Sequence, residues 1–346
     1  MARVAPVDSL PKPVRTEAVA TLSGLFPRFP IVAVGEIHRS AGFHRLLARL
    51  VTRPAFRAAV DDIVVEFGNS RYQPLIDRYE RGEVVPPESL RLVWRNTTQL
   101  LVWDSPLYER FFQLVRAENV RARGGKQLRV ILGDPPVDWD RVRSTAEFPH
   151  DYGYRDPDTF RLLEQEVLAR GRKALVIIGN AHLVRHDPSS AFKPRSLTTA
   201  GLGDAVTQRY PGKSFLVWSV DGGSDDLASQ VSDWPPGTIA RLGGTGLGAL
   251  GSKVLFGESV TIFRMVNGKR VPVQLPDSEF PRLEAQVDAI LYVGPSAARV
   301  PASLSTYADQ RYVAELRRRG EILAPVFGID IKAELDSLVA QSRRQP

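Results

Sequence analysis

Three observations predict a layered α/β fold, with a central mostly parallel sheet flanked by helices. Six short runs rich in Val and Ile, at 31–34, 63–66, 128–132, 174–178, 215–219 and 289–293, are bounded by Gly, Pro or Asp, as buried strands are. The runs are nearly continuous in apolar residues instead of alternating, the pattern of strands covered on both faces of a parallel sheet. Helical patterns fall between them, at 43–51, 89–101, 106–121 and 159–170, and this βαβα alternation marks the layered class.

The remaining segments are placed around that core. We expect a single α/β domain over 1–346, with the motif-bearing part in 28–222, a less regular stretch over 223–285, and the last strand and a C-terminal helix in 286–346. The stretch 235–252, "PPGTIARLGGTGLGALGS", reads as a mobile Gly-rich loop bordering the site. Its literal G-x-G-x-x-G at Gly246, Gly248 and Gly251 lacks a good preceding strand, which a dinucleotide fingerprint needs. Asn267–Gly268, between "TIFRMV" and "KRVPVQL", reads as a hairpin turn, and residues 308–342 as one helical tail.

Composition removes several chemistries. The 346 residues include no cysteine, so there is no disulfide framework, thiolate zinc site, iron–sulfur cluster or Cys nucleophile. No run approaches the roughly 18–20 apolar residues that span a bilayer, and the N-terminus has prolines and charges where a signal peptide is apolar, so we expect a cytoplasmic protein. The net charge of +7 comes mostly from scattered arginines, and no nucleic-acid motif accompanies them. A small-molecule substrate is the expected partner.

The chemistry gathers where the apolar runs end. Glu36 and His38 follow the first run, two residues apart, so an extended backbone projects both to one side. A carboxylate beside an imidazole orients the ring and raises its basicity, which suits general-base work on water. Glu66 closes the second run, and a charge placed there needs a partner. His182 follows the fourth run just after Gly179, where the glycine would let the backbone turn. These four, Glu36, His38, Glu66 and His182, are the expected catalytic residues. Glu36, His38 and His182 also have the ligand types of a divalent metal site.

Around them lie expected substrate contacts. Arg39 and His44 follow His38, Gly68 permits a turn toward Asn69 and Arg71, Asp134 ends the third strand, and one helical turn would bring Arg185 and His186 beside His182. Trp103, Tyr108, Trp139 and Trp218 are candidate pocket walls, and His150 lies in a polar loop. Neither a G-x-S-x-G elbow nor an H-E-x-x-H motif is present, so a hydrolase built here activates water directly. In that reading His38 deprotonates water, His182 assists the leaving group, and Arg39 or Arg71 stabilises the oxyanion.

At these residues the chain resembles the superfamily that joins erythromycin esterases, ChaN haem-binding proteins and Tiki-type proteases. Gly35, Glu36 and His38 match its Gly-Glu-x-His motif, Glu66 its acidic residue closing the second strand, and Gly179 and His182 its Gly-x-x-His motif. The spacing to His44 is closer to the ChaN branch, although Arg39 stands where that branch often has Asp. The resemblance covers residues 28–222 and implies the same layered fold. Its branches differ between ester hydrolysis, haem binding and metal-dependent proteolysis, so the expected activity is an esterase-like hydrolase, with haem held by a His or Tyr axial ligand as the alternative.

Overall fold

The computed structural model describes residues 9–122, 124–149, 152, 155–186, 201–223, 226–255, 262–266, 269–273, 280–295 and 299–344. Its strands, in chain order, are β1 (Arg15–Glu17), β2 (Ile31–Glu36), β3 (Asp62–Asn69), β4 (Arg129–Asp134), β5 (Ala174–Gly179), β6 (Ser214–Asp221), β7 (Thr238–Arg241), β8 (Ile262–Val266), β9 (Lys269–Val273) and β10 (Ala289–Gly294). Eight of them form one sheet in the order β1-β7-β10-β6-β2-β5-β3-β4. The run β10-β6-β2-β5-β3-β4 is parallel throughout, and β7 and β1 extend it antiparallel. The six parallel strands are the six apolar runs of the sequence.

Alternating side chains feed two cores, one on each face. Val32, Val34, Ile63, Val65, Leu175 and Ile177 pack on one side with the helices Ala41–Thr52 and Pro106–Arg121. Ile31, Ala33, Val64, Val176, Ile178 and Leu216 pack on the other with the helices Arg155–Leu162 and Leu202–Arg209. Covering both faces is what lets these strands be apolar without interruption. Local signals set the helix ends. The Ser40 hydroxyl caps Ala41–Thr52 by accepting from Phe43 N at 3.3 Å, and Ser105 with Pro106 opens Pro106–Arg121.

Four expectations change. The helix expected over 89–101 is Pro87–Arg95, because residues 96–98 turn to bond β3 and β4 partners described below. The helix expected over 159–170 begins at Arg155 and passes at Leu163–Val167 into a π turn. The C-terminal tail is two helices, Gln310–Phe327 and Lys332–Ser342, parted at Gly328, whose φ of 70° ends the first in a left-handed cap. The Gly-rich stretch contains a strand, β7, ahead of its glycines, and is pinned instead of bordering the site. Gly246 N donates to Pro11 O, and Leu283 N and Glu284 N donate to Leu250 O and Gly248 O. A 3₁₀ turn, Ser252–Leu255, follows the glycines where a dinucleotide site needs a helix. β8 and β9 pair antiparallel from Ile262↔Val273 to Val266↔Lys269. The Asn267–Gly268 turn and His150 lie outside the described residues. Among the described residues no helix is long and apolar enough to cross a membrane.

Candidate active site

Sheet order brings the charged strand ends into one place, because β5 lies between β2 and β3. Glu36 at the end of β2 is level with Gly179 at the end of β5, and the carboxylate of Glu66 in β3 reaches in from the other side, where its Oε2 accepts from Gly179 N at 2.7 Å. A Cβ built on Gly179 would lie 3.4 Å from Glu66 Oε2, His38 Cε1 and His182 Cδ2. The absent side chain is therefore the space that both imidazoles and one carboxylate surround. Gly179 does not serve as a turn, since its φ of −51° and ψ of 142° suit any residue. Asn180, next in the chain, reaches across β2 to bond both polar groups of the Ser219 backbone at 2.8 and 3.0 Å. Its side chain occupies the room a Cβ at Gly35 would need.

Each imidazole rests on its own carboxylate. His38 Nδ1 lies 3.3 Å from Glu36 Oε2, and its ring stands edge-on to the buried Trp103 at 4.7 Å between centroids. Glu36 is buried; its Oε1 accepts from Tyr108 Oη at 2.9 Å and lies 3.4 Å from His44 Nε2. Burial pushes the Glu36 carboxyl up, but the imidazoles of His38 and His44 outweigh it and hold the group down at about 2. Burial in turn pulls His38 down, and the Glu36 and Glu66 carboxylates more than reverse this, so its pKa is raised. His182 Nδ1 lies 2.6 Å from Asp156 Oδ1, while its Nε2 lies 3.5 Å from Arg155 Nη2 and 3.6 Å from Glu66 Oε1. The His182 pKa is also raised, burial lowering it and the Asp156 and Glu66 charges overcoming that.

Arg155 ties the two halves together. Its Nη1 donates to Glu66 Oε1 at 2.6 Å, an oxygen that also accepts from Gln99 Nε2 at 2.6 Å. Glu66 thus accepts three hydrogen bonds, one of them from a cation, which is what allows a carboxylate to stay buried at a strand end. Arg155, Asp156 and Gln99 are absent from the residues expected from sequence. Arg155 and Asp156 come from the first turn of a helix in the segment "YRDPDTF", which carries no signal beyond its charged start and single proline.

The other expected contacts are placed differently. Asn69 is fully buried and spends its amide on the backbone: Nδ2 donates to Asn96 O at 2.7 Å and Val137 O at 2.9 Å, and Oδ1 accepts from Arg71 N at 2.9 Å. Gly68 stays in β3, packed on Leu132, and makes no turn. Arg71 pairs with Asp138 at 2.8 Å. Arg39 adopts a left-handed backbone, φ 62°, and its N–H donates to Tyr108 Oη at 3.1 Å. His44 is buried behind Glu36 and faces no cleft. Asp134 is buried and accepts from Thr98 N and Thr98 Oγ1, both at 2.8 Å; burial pushes its pKa up to about 7 against the opposing charge of Arg155. Arg185 and His186 do not sit beside His182, because Val184 is extended and leads them to Asp288 and Gln286. All four aromatic residues, Trp103, Tyr108, Trp139 and Trp218, belong to the cores, and of them Trp103 and Tyr108 also touch the site, at His38 and Glu36.

A cleft of about 580 Å³ opens from Thr98, Gln99, Arg155, Asp156 and His182 toward the C-terminal helices. Among the described residues, the donor atoms that lie within 4.8 Å of one another belong to Glu36, His38 and Glu66, so this trio, with Glu66 where His182 was expected, is the set that could hold a divalent ion. Those donor types fit such an ion, although Arg155 already balances the Glu66 charge.

No family model matches the chain, and no curated protein matches it. Its chain path is similar to that of a succinoglycan biosynthesis protein (12% identity, TM-score 0.48, 84% of this chain and 96% of that one). It is similar also to a protein from Bacillus cereus (14% identity, TM-score 0.47, 84% and 97%). A third solved structure, ChaN of Campylobacter jejuni with cofacially bound haem, matches at 11% identity and TM-score 0.30 over 60% of this chain and 88% of that one. At these values each likeness concerns chain path alone and assigns no activity.

Proposed function

We propose that the protein is a hydrolase of an ester or related bond in a small molecule, using two carboxylate-held imidazoles as base and acid. The observation that carries this reading is that His38 on Glu36 and His182 on Asp156 both border the space over Gly179. In each ring the carboxylate takes Nδ1 and leaves Nε2 to work, which fixes the tautomer. His38 Nε2 takes a proton from water as the oxygen attacks the carbonyl carbon. The negative charge that develops on the carbonyl oxygen falls to Arg155, a role the sequence reading gave to Arg39 or Arg71. His182 Nε2 gives its proton to the leaving alkoxide, so ester and water become acid and alcohol, and solvent resets the two rings. A divalent ion on Glu36, His38 and Glu66 would supply a water of lowered pKa at the same place.

The haem alternative finds less support. Among the described residues His182 is the histidine that lines the cleft, and its imidazole is already engaged by Asp156 at Nδ1 and lies beside Arg155 and Glu66 at Nε2. The test is turnover of p-nitrophenyl acetate by His38→Gln and His182→Gln proteins. Each is expected to lose roughly 10²–10⁴-fold in kcat/KM with its melting temperature kept. Unchanged rates in both would remove the proposal.

A further inference from the structure

The cleft that opens from Arg155 and His182 has two chemically distinct ends. Its floor is the polar group already described, and its far wall is Leu100, Val102, Leu323, Phe327, Ile329 and Ile331. The first C-terminal helix supplies Leu323 and Phe327, and the link that follows the break at Gly328 supplies Ile329 and Ile331. That break presents Ile329, which is 63% exposed although it is a large apolar residue, to the cleft mouth. Leu323 and Ile331 are buried and anchor the wall in the cores beneath. A volume of about 580 Å³ is the size of a compartment that holds a drug-sized ligand. Convergent polar groups at one end and an apolar wall at the other orient a molecule that is itself polar at one end.

We infer that this cleft is the binding compartment for the apolar part of the substrate, so that the preferred substrate is an ester whose acyl group is a medium-length hydrocarbon, its carbonyl at Arg155 and His182. The inference rests on the hydrolase reading for the reaction but on the cleft alone for the binding. A chain laid along this wall leaves water one methylene at a time, and each buried methylene strengthens binding roughly three- to fourfold until the space is filled.

The experiment compares p-nitrophenyl acetate, butyrate, hexanoate and octanoate, and in parallel the calorimetric binding of acetone and nonan-2-one. The ketone carries the carbonyl and the chain with no scissile bond. Expected is a kcat/KM that climbs about threefold per methylene, and tighter binding of nonan-2-one than of acetone. Both slopes should flatten in Ile329→Asp, which puts a charge on the wall at an exposed position, and in Leu323→Trp, which fills it; a melting curve for each variant checks its fold. Nonan-2-one binding no tighter than acetone, or slopes untouched by a folded Ile329→Asp, overturns the inference even where esters are cleaved. Tight, wall-dependent binding of nonan-2-one with no ester cleaved upholds the compartment and removes the hydrolase reading.

Discussion

At Gly179 the backbone would accept any residue, and only the crowd of Glu66, His38 and His182 around its missing side chain restricts it. Gly179→Ala is therefore expected to fold, with a melting temperature within a few degrees of wild type, while its methyl group displaces the reacting water and lowers kcat/KM by roughly tenfold or more. Full activity in that variant would place the reaction elsewhere. The residues legible in the sequence are those whose charge closes an apolar run, Glu36, His38, Glu66 and His182, because burying such a charge is costly without a purpose. Their partners were not legible. Arg155 and Gln99 reach Glu66 across 89 and 33 residues of sequence, and no local pattern records such a meeting. Asn69 misled for a related reason: a polar residue at a strand end reads as a ligand group, and here it satisfies the carbonyls of Asn96 and Val137.

The connections between elements show where local propensity was overruled. The helix Pro87–Arg95 stops short because the chain at 96–98 is claimed by Asn69, which takes Asn96 O, and by Asp134, which takes Thr98 N and Oγ1. β1 and β7 escaped notice because they are three and four residues long, and β1, "RTE", is wholly exposed and has no apolar run to announce it. The six parallel strands were legible because burial on both faces leaves a continuous apolar signature. In the connection after β2, Arg39 holds φ 62°, a conformation that costs an L-residue roughly 1–2 kcal/mol. Arg39→Gly keeps the N–H that bonds Tyr108 and is expected to stabilise the protein by up to about 1 kcal/mol in urea unfolding, with turnover within threefold of wild type. A larger loss of rate would return Arg39 to the oxyanion role.

For the whole molecule, the titrating groups of the site couple folding to pH. Glu36 is held at about 2 against an ordinary 4.5, so its contribution is complete above 4.5 and is lost as pH falls toward 2. His38 and His182 are raised above 6.5, so theirs is complete below 6.5 and is lost as pH rises through the folded values. Asp134, moved from 3.8 to about 7, prefers its proton in the folded state and weakens folding as pH climbs between those values. Asp134→Asn keeps both bonds to Thr98 without titrating, so its stability relative to wild type should rise by on the order of 1 kcal/mol per pH unit from pH 4 to 7 and then level off; a difference that does not vary with pH would contradict the buried neutral acid. The most direct test of the paired-imidazole site is the pH dependence of kcat/KM for p-nitrophenyl acetate in wild type, His38→Gln and His182→Gln. With His38 as base and His182 as acid, wild type gives a bell with both limbs above pH 6.5. The His38 variant loses the rising limb along with most of the rate, and the His182 variant loses the falling one. A wild-type profile without limbs, or one that both variants leave intact, would contradict the account.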